Sequence, residues 1–220
     1  MKPMDAITAT DLIRLFDSWK QLFADQREAL IALDGKVGDS DLGITMSKSF
    51  AAAADAVAAE GEAAGIAKLL RTAGATMART APSTMGTLTA TGFLRASKAV
   101  EGATSLGTKE MAAFWAAFRD GIAERGKAKV GDKTIVDVLD PVARVLDEQA
   151  AAGRDLSSAL SAAAAAAEEA LEGTKSLVAQ HGKAAAFQEK TVGLQDAGAT
   201  VGALLLRWLS DFALPEKKRE

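Results

Sequence analysis

Between successive breaks marked by Gly or Pro, the apolar residues of this 220-residue sequence return every three or four positions, the period of one face of an α-helix. A half-buried strand needs strict alternation instead, and no segment supplies it convincingly. From Thr8 to Leu33, the residues Leu12, Leu15, Phe16, Trp19, Leu22 and Phe23 mark the buried face of a first helix. Further helices are predicted over about 45–60, 66–79, 87–100, 111–126, 135–152 and 156–181, and a last one carries Val201, Leu204, Leu205, Trp208 and Leu209 on its buried face. The helix over 135–152 keeps its spacing through Pro141, where a kink is expected. The helix from 156 is dominated by Ala, the best helix former, with Asp155 ready as its N-cap. Eight helices joined by mostly short links predict an all-α fold, an antiparallel eight-helix bundle or barrel, with 1–220 as a single domain. Functional groups are then expected at the links.

Composition narrows the partners. Ala supplies much of the hydrophobic fraction, Phe and Trp are few and Tyr is absent, which suits closely packed helices. With 26 basic and 29 acidic side chains, the formal charge of −3 is too mild for a nucleic acid or anionic-membrane footprint. The run "EKKR" near the end reads as a solvated tail. The absence of cysteine excludes disulfides, thiolate zinc sites and cysteine nucleophiles, and fits a reducing cytoplasm. No apolar run approaches the ~18 residues needed to span a bilayer, so a soluble, unexported protein is expected.

The stretch "LDGKVGDSDLGITM" sets Asp34, Asp39 and Asp41 among Gly35, Gly38 and Gly43, in the gap after the first helix. Three carboxylates so close repel one another unless neutralised, and a hard divalent cation with oxygen ligands is the usual remedy. Magnesium, one such cation, keeps few protein carboxylates and completes its shell with water and phosphate oxygens. A calcium EF-hand starting at Asp39 fails, since Gly43 falls at a ligand position and Phe50 where a bidentate Glu is required. A P-loop fails too, because Ile44 stands where Lys must reach the phosphates. The second near miss, "GKAKVGDKT", inserts Asp132 between the Gly and the Lys. An exposed turn with a helix N-cap remains the plain alternative. Two further links favour an anion: "TAPSTMGT" sets small side chains and N–H groups at a helix start, and "GDKT" adds a Lys and a hydroxyl.

Taken together, "LDGKVGDSDLGITM", "PSTMGTL", "KVGDKTIVDVLDP" and "EKTVGLQDAGAT" resemble the nucleotide-binding L subunit of dihydroxyacetone kinase over nearly the whole chain. The resemblance implies a barrel of eight antiparallel helices that holds ATP or ADP at one end through two magnesium ions. It implies that Asp34, Asp39 and Asp41 are the metal ligands. It further implies that Ser83, Thr84 and Gly86 lie against the phosphates, and that Thr45, Lys183, Lys190 and Asp196 stand near the nucleotide. The family usually reads "GDGDHG-x-N-M", whereas this chain has Ser40 for Gly, Leu42 for His and Thr45 for Asn. Two polar nucleotide contacts are thereby exchanged for an apolar wall and a shorter hydroxyl.

Phosphoryl transfer asks mainly for positioning and charge neutralisation, so no nucleophile from this chain is required. The lone His181 is read as a helix-end or surface residue. In the family a ketose is held by a separate K subunit, which implies such a K-type partner here, in a hetero-oligomer or alongside a homodimer. The phosphate donor would be ATP, or a phosphotransferase-system protein that recharges bound ADP. A non-catalytic magnesium-nucleotide module that regulates a partner is the alternative that loss of the family His and Asn allows.

Overall fold

The computed structural model describes residues 4–214, so the "EKKR" tail lies outside the described residues. The α-helices are α1 (Ala9–Asp25), α2 (Arg27–Asp34), α3 (Leu42–Glu60), α4 (Ile66–Thr80), α5 (Thr84–Ala99), α6 (Thr108–Gly126), α7 (Ile135–Ala151), α8 (Leu156–Gly173) and α9 (Ala197–Ala213). Among the described residues the only β-pairing is an isolated bridge between Ile7 and Leu106. No helix among them is long and apolar enough to cross a membrane.

Several boundaries differ from the sequence expectation, and two of them bear on the site. The single helix predicted from Thr8 to Leu33 is two, broken at Gln26, whose ψ of −1° interrupts the helical path. Helix α1 buries a full apolar face, whereas α2 buries only Leu30 and packs chiefly on α3. The helix predicted to reach His181 stops at Gly173 and tightens into a 3-10 turn, Thr174–Ser176. The reason is competition for its last carbonyls. The Thr174 hydroxyl donates to the Leu171 carbonyl at 2.7 Å, and the Lys133 ammonium donates to the Thr174 carbonyl at 2.6 Å. Helices α3, α5 and α6 begin three residues before the positions read from periodicity, and α9 two residues before. Pro141 lies inside α7, which continues through it, and Asp155 caps α8 as expected.

The helices follow one another around a ring. Setting α2 aside, each of α1, α3, α4, α5, α6, α7, α8 and α9 packs on the next, and α9 returns to α1. Inside the ring an aromatic cluster joins Phe16, Trp19 and Phe23 of α1, Phe50 of α3, Phe93 of α5 and Phe114, Trp115 and Phe118 of α6. Its edge-to-face and stacked pairs, with centroids such as Phe93 to Phe118 at 5.1 Å and Phe23 to Phe50 at 4.3 Å, contribute beyond simple area burial.

Because successive helices run up and down, alternate links share an end. One end gathers the links 35–41, 81–83, 127–134 and 174–196. The other gathers 61–65, 100–107 and 152–155 with both described chain ends, and is tied by the Ile7 amide to Leu106, by Thr108 Oγ1 to the Arg154 carbonyl at 2.8 Å, and by the Met4 amide to the Ala213 carbonyl. At the first end, α3 starts hard against α2. A Cβ on Gly43 would lie 2.1 Å from the Arg27 carbonyl oxygen, so only glycine permits this approach, which brings Asp34 up to the start of α3.

Candidate functional site

The four links at that end enclose a cavity, walled by residues from 33–42, from the start of α5, from 133–135 and from 181–184 and 195–198. Asp34, Asp39 and Asp41 stand along one side. Asp34 closes α2, and its Oδ2 accepts the amides of Asp41 at 3.0 Å and Leu42 at 3.3 Å, so the carboxylate also tethers the start of α3. Each of the three offers one carboxylate oxygen within 4.8 Å of the others. Burial pushes the Asp41 carboxyl above its ordinary value, with Asp39 and Asp34 adding to the rise and Lys183 opposing it. Two features build this crowding into the backbone. A Cβ on Gly38 would fall 2.2 Å from Asp34 Oδ1, and Ser40, between the two outer aspartates, holds a left-handed φ of +63°. Three hard oxygen donors at this spacing, partly open to solvent, fit a divalent cation such as magnesium.

The opposite wall belongs to the strap 174–196, gripped by two consecutive buried residues of the link 127–134. Lys133, itself at a left-handed φ of +60°, donates to the carbonyls of Thr174 at 2.6 Å and Leu194 at 2.7 Å, at the two ends of the strap. Burial lowers its ammonium's pKa, and the nearby Asp196 and Asp137 carboxylates counteract the loss. Asp132 takes the middle of the strap. Its Oδ2 lies 2.9 Å from His181 Nε2 and also accepts the Lys129 amide, while its carbonyl accepts the Gln180 amide at 3.0 Å. Those bonds, led by the Lys129 amide, hold its carboxyl below the usual range.

His181 is therefore not a helix-end or free surface residue. It is a cavity-wall side chain paired with a buried carboxylate 49 positions away, a partnership no local spacing announces. The lysine of "GDKT", expected as a free phosphate-facing charge, is largely committed to backbone carbonyls, and the Thr134 hydroxyl caps α7 by accepting the Val136 amide.

Of the remaining residues singled out in the sequence, Thr84, Lys183 and Asp196 line the cavity with the three aspartates. Lys183 reaches across it to pair with Asp39. Ser83 stands just behind as the cap of α5, its Oγ accepting the Gly86 amide at 3.1 Å, and Gly86 is buried beneath the same turn. Thr45 is buried a turn into α3, its amide bonded to the Asp41 carbonyl at 2.8 Å. Leu42 forms part of the wall, and Lys190 is exposed on the strap away from the lining.

Asp196 caps α9, accepting the Ala199 amide at 2.7 Å, and burial pushes its carboxyl up to about 6 from an ordinary 3.8 in spite of that bond and of Lys133. A carboxyl raised on folding binds its proton more tightly in the native state, so its contribution is full below about pH 4 and is lost as pH climbs through about 6. The loss amounts to about 3 kcal/mol. Asn retains the cap without the charge. Thermal melts of Asp196→Asn and the parent protein are expected to diverge between pH 4.5 and pH 7.5, with the variant gaining relative stability at the higher pH. A constant difference across that range would refute the raised carboxyl.

A family model described as the DAK2 domain matches residues 36–211, beginning two positions after Asp34. The chain is 30% identical over 205 residues to the PEP-dependent dihydroxyacetone kinase, ADP-binding subunit DhaL of Escherichia coli (strain K12), covering 93% of this chain and 97% of that one. It is 36% identical over 202 residues to the D-erythrulose kinase of Mycolicibacterium smegmatis (strain ATCC 700084 / mc(2)155), covering 90% of this chain and 34% of that protein. The crystal structure of the dihydroxyacetone kinase from C. freundii in complex with AMP-PNP and Mg2+ superposes with a TM-score of 0.69 at 23% identity, over 90% of this chain and 33% of that one, a likeness of fold.

Proposed function

The chain belongs to the DAK2 domain family, and from that premise we propose that it is the ADP/ATP-binding subunit of a dihydroxyacetone or related ketose kinase, acting as one component of a complex. The observation that carries this reading is the meeting of Asp34, Asp39 and Asp41 with Lys183 across one cavity built from four separate links. We read 1–220 as one nucleotide-binding domain.

Magnesium, two ions in our reading, would supply charge neutralisation to the phosphates when bound. The chain's own residues do the rest. Asp34, Asp39 and Asp41 would hold the ions, and the Asp34 bonds to the Asp41 and Leu42 amides keep that carboxylate oriented. Thr84, at the N-terminus of α5, and Lys183 would face the phosphates, where helix amides and an ammonium favour negative charge. Met85, Leu88 and Ile135 offer an apolar wall to the base. The strap, pinned by Asp132 and Lys133, would exclude water from that side.

A separate ketose-binding K subunit is the proposed partner. The D-erythrulose kinase of M. smegmatis is about three times as long as the part this chain matches, and its remainder has no counterpart within these 220 residues. The large exposed hydrophobics among the described residues, Val130, Phe187 and Val192, lie on the two links beside the cavity, where a docking partner would cover them. The E. coli and Lactococcus lactis relatives, called PEP-dependent and PTS-dependent, make a phosphotransferase-system protein the favoured phosphate donor.

A ligand that binds only the folded state stabilises it by RT ln(1 + [L]/Kd), about 2.7 kcal/mol at a hundredfold excess over Kd. For a chain of this size that is a rise in melting temperature of roughly 5–10 °C. Melts with Mg-ADP against ADP in EDTA check it. Equal melting temperatures would remove the tight metal-nucleotide site and this reading with it.

A further inference from the structure

The ammonium of Lys183 bonds to Asp39 although 144 residues separate them, so the charge comes from a different link of the barrel. Its influence extends beyond that partner. The bond to Asp39 raises the Lys183 pKa, Asp39, Asp41 and Asp34 add to the rise through space, and Lys183 in turn moderates the upward shift of Asp41. One cation thus already serves a set of carboxylates whose geometry suits another. A ligand oxygen on Asp39 that accepts an ammonium proton cannot at the same moment give that lone pair to a metal.

The strap that carries Lys183 is fastened at its base by bonds that do not involve the Lys183–Asp39 pair. Its ends are fixed by Lys133 to Thr174 and Leu194, and again by the Gly193 amide to the Lys175 carbonyl at 2.7 Å. The Ala179 amide bonds to Thr191 Oγ1 at 3.0 Å, closing the base of a loop. Between those anchors the backbone is a chain of 3-10 turns, interrupted at Gln188 by φ 46° and ψ −126°, and mostly exposed. Among the described residues, His181 and Lys183 tie that loop to the other cavity walls through their side chains, and the Gln180 amide does so through the Asp132 carbonyl.

We propose that Lys183 and the divalent cation compete for Asp39, so that metal binding releases the lysine and its loop to the nucleotide phosphates. This rests on the reading of the three aspartates as metal ligands. The consequence is an ordered coupling. Metal alone binds against the lysine, whereas nucleotide phosphate offers the displaced ammonium a new anionic partner, and each ligand then favours the other.

The test is a titration of the full chain with Mn2+, followed by its paramagnetic signal, with and without ADP, for the parent protein, Lys183→Met, Lys36→Met and Asp39→Asn. In the absence of ADP, Lys183→Met is expected to bind Mn2+ about fivefold more tightly than the parent, the scale of an exposed ion pair. Lys36→Met removes the same charge from the loop of the aspartates and reports the long-range part, expected below about twofold. With Mn2+ saturating, Lys183→Met is expected to bind ADP more weakly than the parent, so one substitution moves the two affinities in opposite directions. Hydrogen exchange in 181–190 should quicken with Mn2+ alone and slow again with Mn2+ and ADP. If the parent binds Mn2+, Asp39→Asn abolishes it and Lys183→Met binds no more tightly than Lys36→Met, the competition is refuted while the metal site stands. If no variant binds Mn2+ with or without ADP, or Asp39→Asn binds as the parent does, the metal reading itself fails.

Discussion

Asp41→Asn is expected to weaken Mg-ADP binding by on the order of a hundredfold while leaving the helical content unchanged. The substitution removes one anionic oxygen from a set of three and keeps the shape of the side chain. Asp41 makes no side-chain cap to α3; the tether at that helix start is Asp34 Oδ2, which accepts the Asp41 and Leu42 backbone amides and survives the change. Burial and the Asp39 and Asp34 charges already disfavour the ionised Asp41 carboxyl, so the variant should fold at least as stably as the parent. Asp39→Asn should lose nucleotide affinity on the same scale, yet without the gain in stability, because it also forfeits the Lys183 ion pair. Calorimetric titration with Mg-ADP and circular-dichroism melts separate the two quantities. A nucleotide-induced shift in the variants equal to that of the parent would sink the metal assignment.

Purified alone with Mg-ATP, the chain is expected to give no appreciable phosphorylation of dihydroxyacetone or of a four-carbon ketose. Its cavity provides carboxylates for a metal, a helix start and an ammonium for phosphates, and an apolar wall. Capturing a ketose and holding its hydroxyl within about 3–3.5 Å of a γ-phosphate is the part proposed for the K subunit, and orientation of that kind accounts for a large part of such catalysis. Coupled detection of ketose phosphate from this chain, from a K-type subunit, and from the two mixed tests the point. Turnover is expected in the mixture when a phosphate donor is supplied, and full turnover by this chain alone would overturn the split-enzyme reading.

The parts of this molecule legible in the sequence are those whose signal is local. The apolar stripes of α1, α4 and α7 repeat every three or four residues, and Asp155 announces its helix by capping chemistry alone. The aspartates were legible because crowding of like charge is itself a local anomaly. The break at Gln26 carries no Gly or Pro, and the early end of α8 depends on an ammonium 41 residues distant in sequence, so neither could be read from periodicity. The same holds for His181. A lone histidine has no meaning until the fold sets it against Asp132, and the acidic residue in "GDKT" reads as an obstacle to a P-loop before the structure makes it the hub of the strap.

The ring has a further property. Met4 and Ala213 meet at the end remote from the cavity, beside the loops 61–65, 100–107 and 152–155, so the described chain begins and finishes side by side. Closed up-and-down connectivity of this kind gives the barrel no privileged starting helix. A short peptide joining the two ends, with the chain reopened between Gly61 and Gly65, would give a circular permutant in which every link around the aspartates keeps its neighbours. Such a permutant is expected to bind Mg-ADP as the parent does, because the cavity is assembled by the cyclic succession of helices and the cut falls on the opposite face.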